Sequence, residues 1–238
     1  MPASGMKPLY LFPNLFTASS IFLGMMGVFY AARGSFVLAC WFVVVCLVLD
    51  GLDGRVARLT NTTSKFGLEF DSLADVIAFG ATPSIIAYFY IGQAYGRWGM
   101  AVCALFVIFG AIRLARFNVT TQTTDPYSFI GIPIPTGAVL VVLVILLDHK
   151  YGLFKVEHGY LMLAYIVFLG VMMVSNIRYP NFKKVRWNLK LFVLLLLFLL
   201  LMFIKPLEVL SGFMFSYLCY GIVRWLFVMG KILFKRKS

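Results

Sequence analysis

Five of the chain's nine acidic residues fall within twenty-six positions, DGLDGRVARLTNTTSKFGLEFDSLAD, and four of them are aspartates: Asp50, Asp53, Asp71 and Asp75. On helices these pairs stand at i,i+3 and i,i+4, so each pair shares one helix face with β-carbons about 5–6 Å apart. Two such faces brought together set four carboxylates around a common point. Like charges that close cannot all stay ionised without a compensating cation. Ligation by oxygen alone, with no His or Cys nearby, suits a hard ion such as Mg²⁺, Mn²⁺ or Ca²⁺. Four carboxylates can hold two ions about 3.5–4 Å apart, the arrangement that clamps attacking and leaving oxygens in phosphoryl displacement.

The neighbouring residues suit the same chemistry. Gly54 and Gly67 leave room for a bulky ligand above the carboxylates. Arg58, one turn after Gly54, offers a planar fork of donors to a phosphate. Ser64 and Lys65, in the short loop between the acid pairs, add further donors. The competing reading is a set of buried salt bridges to Arg55, Arg58 and Lys65. Four acids outnumber those three bases, and buried ion pairs seldom offset their own desolvation.

The elements that must hold these residues are membrane helices. Of 238 residues, 62% are hydrophobic and only 13% charged, with a mean hydropathy of +0.93. A soluble domain carries about 25% charged residues. Apolar runs near the ~20 residues a helix needs to span a bilayer recur at 14–32, 35–52, 71–92, 98–118, 131–149, 159–177, 189–205 and 209–230. They are continuous and do not alternate, which excludes barrel strands. The fold class is an all-α integral membrane protein of about eight spans. The first run is read as a span and not as a cleaved leader, because it is long and its positive flank is weak.

An ionisable side chain at membrane depth marks function by default, so the aspartates stand out further here. The net charge of +12 is not a nucleic-acid signature, because the basic residues sit at helix ends. With the N-terminus inside, sixteen of the 21 Lys and Arg fall on the inner side, which places both termini and the aspartates in the cytoplasm, in the cell membrane. The basic tail KILFKRKS suits anionic lipid heads. Four scattered cysteines, without a C-x-x-C spacing, read as small buried apolar residues. Polar residues at membrane depth concentrate in the first six runs. The reading is therefore a catalytic unit over 1–180 and two further helices with a basic tail over 181–238.

The string Asp50-x2-Asp53-Gly54-x2-Ala57-Arg58-x8-Gly67-x3-Asp71-x3-Asp75 resembles, at every defined position, the signature of the CDP-alcohol phosphotransferases. The resemblance implies a six-helix membrane core, a homodimer, and transfer of a phosphatidyl or similar group from a CDP-linked donor to an alcohol, with release of CMP. It implies that Asp50, Asp53 and Asp71 ligate a divalent cation, Mg²⁺ or Mn²⁺, in a site for two ions. It further implies that Asp75 contacts the second ion and serves as the base. Gly54, Ala57 and Arg58 would line the nucleotide diphosphate, Ser64 would meet a phosphate, and Asn14 would close the donor pocket from the first helix.

Within that family, the segments FDSLADVIAFGATPS, IRLARFN and GIPIPTGA resemble the phosphatidylserine synthases, over roughly residues 10–180. The implied donor is CDP-diacylglycerol and the implied acceptor L-serine. A serine carboxylate asks for a cation, and Arg113 and Arg116, at i,i+3 on the fourth run, offer a positive face at the depth of the aspartates. Pro83, following Phe79, Gly80 and Thr82, is expected to kink the third run just above Asp75 and free carbonyls for a ligand. Tyr127 and Ser128 are candidate lid residues. Sibling enzymes acting on glycerol 3-phosphate or inositol phosphate are the alternative within the class. A divalent-cation transporter is the alternative outside it, though such a protein spreads its acids over several helices.

Overall fold

The computed structural model describes residues 11–60, 62, 64–120, 128–154, 158–180 and 189–237. Each of the eight apolar runs forms a helix. Helices α1 (Leu11–Ala32) and α2 (Phe36–Leu59) make an antiparallel hairpin. The third run is one rod in three parts: α3 (Lys65–Asp75), a π-helical turn (Val76–Ala81) and α4 (Thr82–Tyr90). A short 3₁₀ turn (Gly92–Tyr95) leads into α5 (Gly96–Thr120). Then come α6 (Ile134–Tyr151), α7 (Gly159–Val174), α8 (Leu189–Ile204) and α9 (Pro206–Lys237). Two three-residue strands, β1 (Ser128–Ile130) and β2 (Arg178–Pro180), pair antiparallel with Phe129 opposite Tyr179.

Among the described residues, six segments are long and apolar enough to cross a bilayer: Asn14–Ala32, Phe36–Val56, Lys65–Tyr90, Gly92–Val119, Ile134–Tyr151 and Pro206–Phe227. At 16 residues each, α7 and α8 are shorter. The protein is thus a multi-pass membrane protein.

Several boundaries differ from the sequence expectation, among them the end of α2, at Leu59 rather than 52, and two of them have a clear local reason. The third run begins at Lys65 rather than 71, because Ser64 is an N-cap. Its backbone is extended (φ −135°, ψ 155°) and its Oγ accepts from the Gly67 N–H at 2.9 Å, satisfying a donor that the helix start leaves open. The fifth run starts at Ile134 rather than 131, because Gly131 takes φ +75°, a conformation that L side chains rarely adopt, and Pro133 follows as the N-cap residue. The last run extends from Pro206 through Lys237.

The Pro83 kink takes the form of the π turn. A proline ring clashes with the carbonyl four residues back in an α-helix, and a widened turn relieves that conflict. The Ile77 carbonyl accepts both the Thr82 N–H and, at 3.0 Å, the Thr82 hydroxyl. That carbonyl is used within the rod. Helix α1 closes against this turn, where a Cβ on Gly24 would lie 2.8 Å from Thr82 Oγ1 and 3.3 Å from Ala78 Cα.

Helix α6 is the central post. Twelve of its 18 residues are buried, and α2, α4, α7 and α9 all pack on it. Its one acid, Asp148, is buried but fully used: Tyr90 OH donates to it at 2.7 Å and the Phe154 N–H at 2.6 Å. At the same end, Lys150 Nζ and Tyr151 OH both donate to Glu208 in the first turn of α9.

Candidate functional site

The acid pairs meet because α2 and the α3 rod run antiparallel through a short connection. Asp50 and Asp53 leave the last turns of α2, and Asp71 and Asp75 leave the facing side of α3. One carboxylate oxygen from each of Asp50, Asp53 and Asp71 lies within 4.8 Å of the other two. Asp75 stands one turn further along the rod, its carboxyl beside that of Asp50 and electrostatically facing both Asp71 and Arg113. The four aspartates therefore form a triad with a fourth member set apart on the Arg113 side.

The salt-bridge reading finds no support here. Among the described residues the only ion pair is Lys150 with Glu208. Arg55, Arg58 and Lys65 are exposed and make no ion pair within 4.0 Å of the aspartates. The carboxylates face one another with no protein cation between them. Three converging carboxylates and no His or Cys make a donor set that fits a hard divalent ion.

Asp53 is the most enclosed of the four, at 6% exposure. Thr17 Oγ1, from α1, donates to its Oδ2 at 2.9 Å and fixes its orientation. The sequence reading singled out Asn14 but gave Thr17 no part. The signal was available, since Asn14 and Thr17 share one face of α1 at i,i+3.

Against the triad opens a cavity of about 190 Å³. Five of the six residues expected to hold the CDP donor line it: Asn14, Gly54, Arg58, Ser64 and Gly67. Thr17, Asp53, Thr62, Leu68 and Asp71 complete the wall. Ala57 lies on α2 in the same stretch, but its side chain is outside the described residues. The glycines act by what they omit. A Cβ on Gly67 would stand 3.2 Å from Ser64 Oγ and 3.4 Å from Asn14 Oδ1, while one on Gly54 would project into space shared only with the Arg58 guanidinium, 3.9 Å away. Thr60 and Thr62 hydroxyls lie 2.7 Å apart and tie the connecting loop together.

The two arginines of α5 have different surroundings. Arg116 grips the end of α7, donating to the carbonyls of Val174 at 2.7 Å and Ser175 at 3.2 Å, with longer contacts to Met173 O and Asn176 Oδ1. A cation over the free carbonyls of a helix C-terminus is a capping arrangement, so the geometry gives Arg116 a structural part. Arg113 is 6% exposed, lies over the Phe117 ring at 5.1 Å, and leaves its buried Nε without a hydrogen-bond partner. It faces Asp75 electrostatically. Nearby, Asn118 Nδ2 donates to Ser72 Oγ at 2.9 Å, pinning α5 to α3 beside Asp71. Of the lid candidates, Tyr127 lies outside the described residues, and Ser128 opens β1.

Carboxylates that lack a cation attract a hard metal, and a metal beside a donor-lined cavity attracts an anionic group such as a diphosphate. Set in a multi-pass helical fold, that combination defines a membrane-embedded, divalent-metal-dependent group transferase. Comparison with known proteins agrees. The profile of the CDP-alcohol phosphatidyltransferase family matches residues 10–174, from α1 through the end of α7. A Helicobacter pylori protein named "CDP-diacylglycerol--serine O-phosphatidyltransferase" is 72% identical over 232 residues, covering 98% of each chain. Proteins of the same name from Methanocaldococcus jannaschii (34% identical, 60% of this chain and 63% of the relative) and Bacillus subtilis (31% identical, 72% of this chain and 91% of the relative) are also similar. The chain belongs to the CDP-alcohol phosphatidyltransferase family.

Proposed function

We propose that the protein transfers the phosphatidyl group of CDP-diacylglycerol to the hydroxyl of L-serine, giving phosphatidylserine and CMP. The observation that carries this reading is the carboxylate triad without an ion-pair partner, two of whose members, Asp53 and Asp71, stand on the wall of the donor-lined cavity. The choice of serine is supported by near full-length similarity to a relative named for that reaction.

Asn14, Ser64 and Arg58 donate to the diphosphate of the donor, and Gly54, Ala57 and Gly67 give it room. Asp50, Asp53 and Asp71 hold the divalent cation, Mg²⁺ or Mn²⁺, and four carboxylates together supply ligands enough for a pair of ions. The bound cation supplies charge neutralisation for the diphosphate and for the departing CMP. Thr17 keeps the Asp53 carboxylate turned toward that site.

A serine hydroxyl is a weak nucleophile and needs a base within hydrogen-bond reach. Asp75 takes its proton as the serine Oγ–phosphorus bond forms and the bond from phosphorus to the CMP oxygen breaks. Arg113, beside Asp75, receives the serine carboxylate. Positioning and electrostatic stabilisation supply most of the rate. The acyl tails remain in the bilayer.

The site faces the cytoplasm, as the bias of basic residues toward that side supports. The working unit is a homodimer with its catalytic unit in 1–180, as the family resemblance suggests. The transporter alternative loses ground because the acids gather at one end of two consecutive helices. The test is CMP release by purified, detergent-solubilised protein given CDP-diacylglycerol and Mg²⁺ or Mn²⁺, with serine, glycerol 3-phosphate or inositol phosphate supplied separately. Release with serine alone, abolished by chelation, is the expected result. Release with another alcohol would overturn the acceptor, and no release with any alcohol would overturn the reaction.

A further inference from the structure

The connection between α2 and α3 carries a threonine at a position that the aspartate signature leaves undefined. Thr62 is buried, at 6% exposure, and stands on the wall of the cavity with Asn14, Arg58, Ser64 and Gly67. Its Oγ1 lies 2.7 Å from that of Thr60. The direction of this bond is set from its far end. The Thr60 hydroxyl donates to the Val56 carbonyl at 2.7 Å, and a hydroxyl has one proton to give. Thr62 is therefore the donor of the pair. Its oxygen keeps two lone pairs, and among the described residues no group donates to them. Whatever Thr62 Oγ1 meets in the cavity, it meets as an acceptor only.

The place of that acceptor selects its partner. The carboxylates and Arg58 take the diphosphate of the donor. Its acyl chains must run into lipid, so its nucleoside runs the other way, toward the connecting loop. Helix α2 continues to Leu59, about 9 Å beyond Asp53 at the rise of an α-helix, and Thr62 lies past that end. The base is the part of the nucleotide farthest from the diphosphate. A ribose hydroxyl both donates and accepts, and has no need of a partner of fixed polarity. The exocyclic amine of cytosine only donates, whereas uracil, like thymine, carries an acceptor oxygen at that ring position. An oxygen with no proton to offer holds the first base and turns away the second.

We propose that Thr62 is a specificity-determining residue for the nucleotide: its Oγ1 accepts a hydrogen bond from the 4-amino group of cytosine, and the chain from Thr62 through Thr60 to the Val56 carbonyl keeps that oxygen from donating. The proposal rests on the cavity being the site of the CDP-linked donor, and not on serine being the acceptor. Thr62 touches no reacting atom. Its effect belongs in nucleotide affinity.

The experiment is calorimetric titration of the full-length protein, in detergent with Mg²⁺, by CMP, UMP and 2′-deoxy-CMP. Wild type, Thr62→Val and Thr62→Ser are compared, with thermal unfolding followed in parallel. Valine keeps the shape and removes the oxygen, whereas serine keeps the oxygen. Wild type should bind CMP more tightly than UMP. Thr62→Val should narrow that ratio about tenfold, as for the loss of one hydrogen bond, and Thr62→Ser should retain it. A ratio unchanged in Thr62→Val would overturn the proposal. Equal weakening of CMP and UMP with a fall in unfolding temperature would do the same, since that pattern is loop packing alone. A preference for CMP over 2′-deoxy-CMP that vanishes in Thr62→Val, with the CMP to UMP ratio intact, would move the contact to the ribose and defeat the assignment to the amine. Wild type that binds none of the three nucleotides would sink the reading of the cavity itself, a result distinct from the others.

Discussion

Asp75 differs from the other three aspartates in what faces it. Asp50, Asp53 and Asp71 converge on one another, whereas Asp75 has Asp50 and Asp71 on one side and Arg113 on the other. Asp75→Asn keeps the size and removes the proton acceptor. It should lower turnover by about 10²–10⁴-fold, the usual worth of a positioned acid or base, while CDP-diacylglycerol binding persists. Near-native CMP release from that variant would strip Asp75 of the base role. Thr17→Val is the sharper test of the triad, since it removes the hydroxyl that orients Asp53 and leaves the shape. The cation concentration for half-maximal activity should rise by about 10–100-fold, as for other groups that orient a metal ligand, and a metal titration reads it directly. The acids were legible in the sequence because their spacing alone puts each pair on one helix face. Thr17 and Arg116 were less so. What a hydroxyl or a guanidinium bonds depends on which helix end arrives beside it, and no local pattern records that α7 ends next to α5.

At the scale of elements, the rod from Lys65 to Tyr90 does two jobs in sequence. Its first turns present carboxylates, and its π turn receives α1 through Gly24. Gly24→Val would force a side chain into Thr82 and the Ala78 backbone. Overpacking of that kind costs about 1–3 kcal/mol, so the variant should unfold at lower temperature and lose activity in proportion to its folded fraction. Arg116→Gln should also lower the unfolding temperature, by loosening the end of α7. Losing bonds to several carbonyls at once costs about 1–3 kcal/mol. Its serine KM should stay at the wild-type value, and a selective rise in that KM would return Arg116 to the acceptor site. The sequence showed that Pro83 must disturb the third run, but the disturbance extends over the six residues before Thr82. Proline chemistry identifies the conflict, and the packing of α1 and α6 on the turn decides how the backbone relieves it.

For the whole molecule, the eight apolar helices and their order were legible because a bilayer demands long apolar helices whatever their function. What apolar runs conceal is which of them touch. The last two read as a plain addendum, yet α9 packs on α6, carries Glu208 to Lys150 and Tyr151 at one end, and meets Tyr179 further along. Orientation can be checked on the intact protein. In a Cys219→Ala background, Ser35→Cys at the start of α2 should react with a membrane-impermeant maleimide on whole cells. Thr60→Cys, at its other end, should react only after lysis, and the opposite pattern would invert the proposed topology.

The cavity beside the aspartates carries one further consequence. Its wall includes Leu68, and Leu15 and Phe66 stand exposed close by in sequence, on α1 and α3. A substrate with two acyl chains can approach from the side, without leaving the lipid phase. The quantity that saturates the site is then a surface density and not a concentration per litre. At fixed total CDP-diacylglycerol, adding inert detergent should slow the reaction by spreading donor and protein over more micelle surface, whereas diluting the whole mixture with buffer should hardly change the dependence on donor.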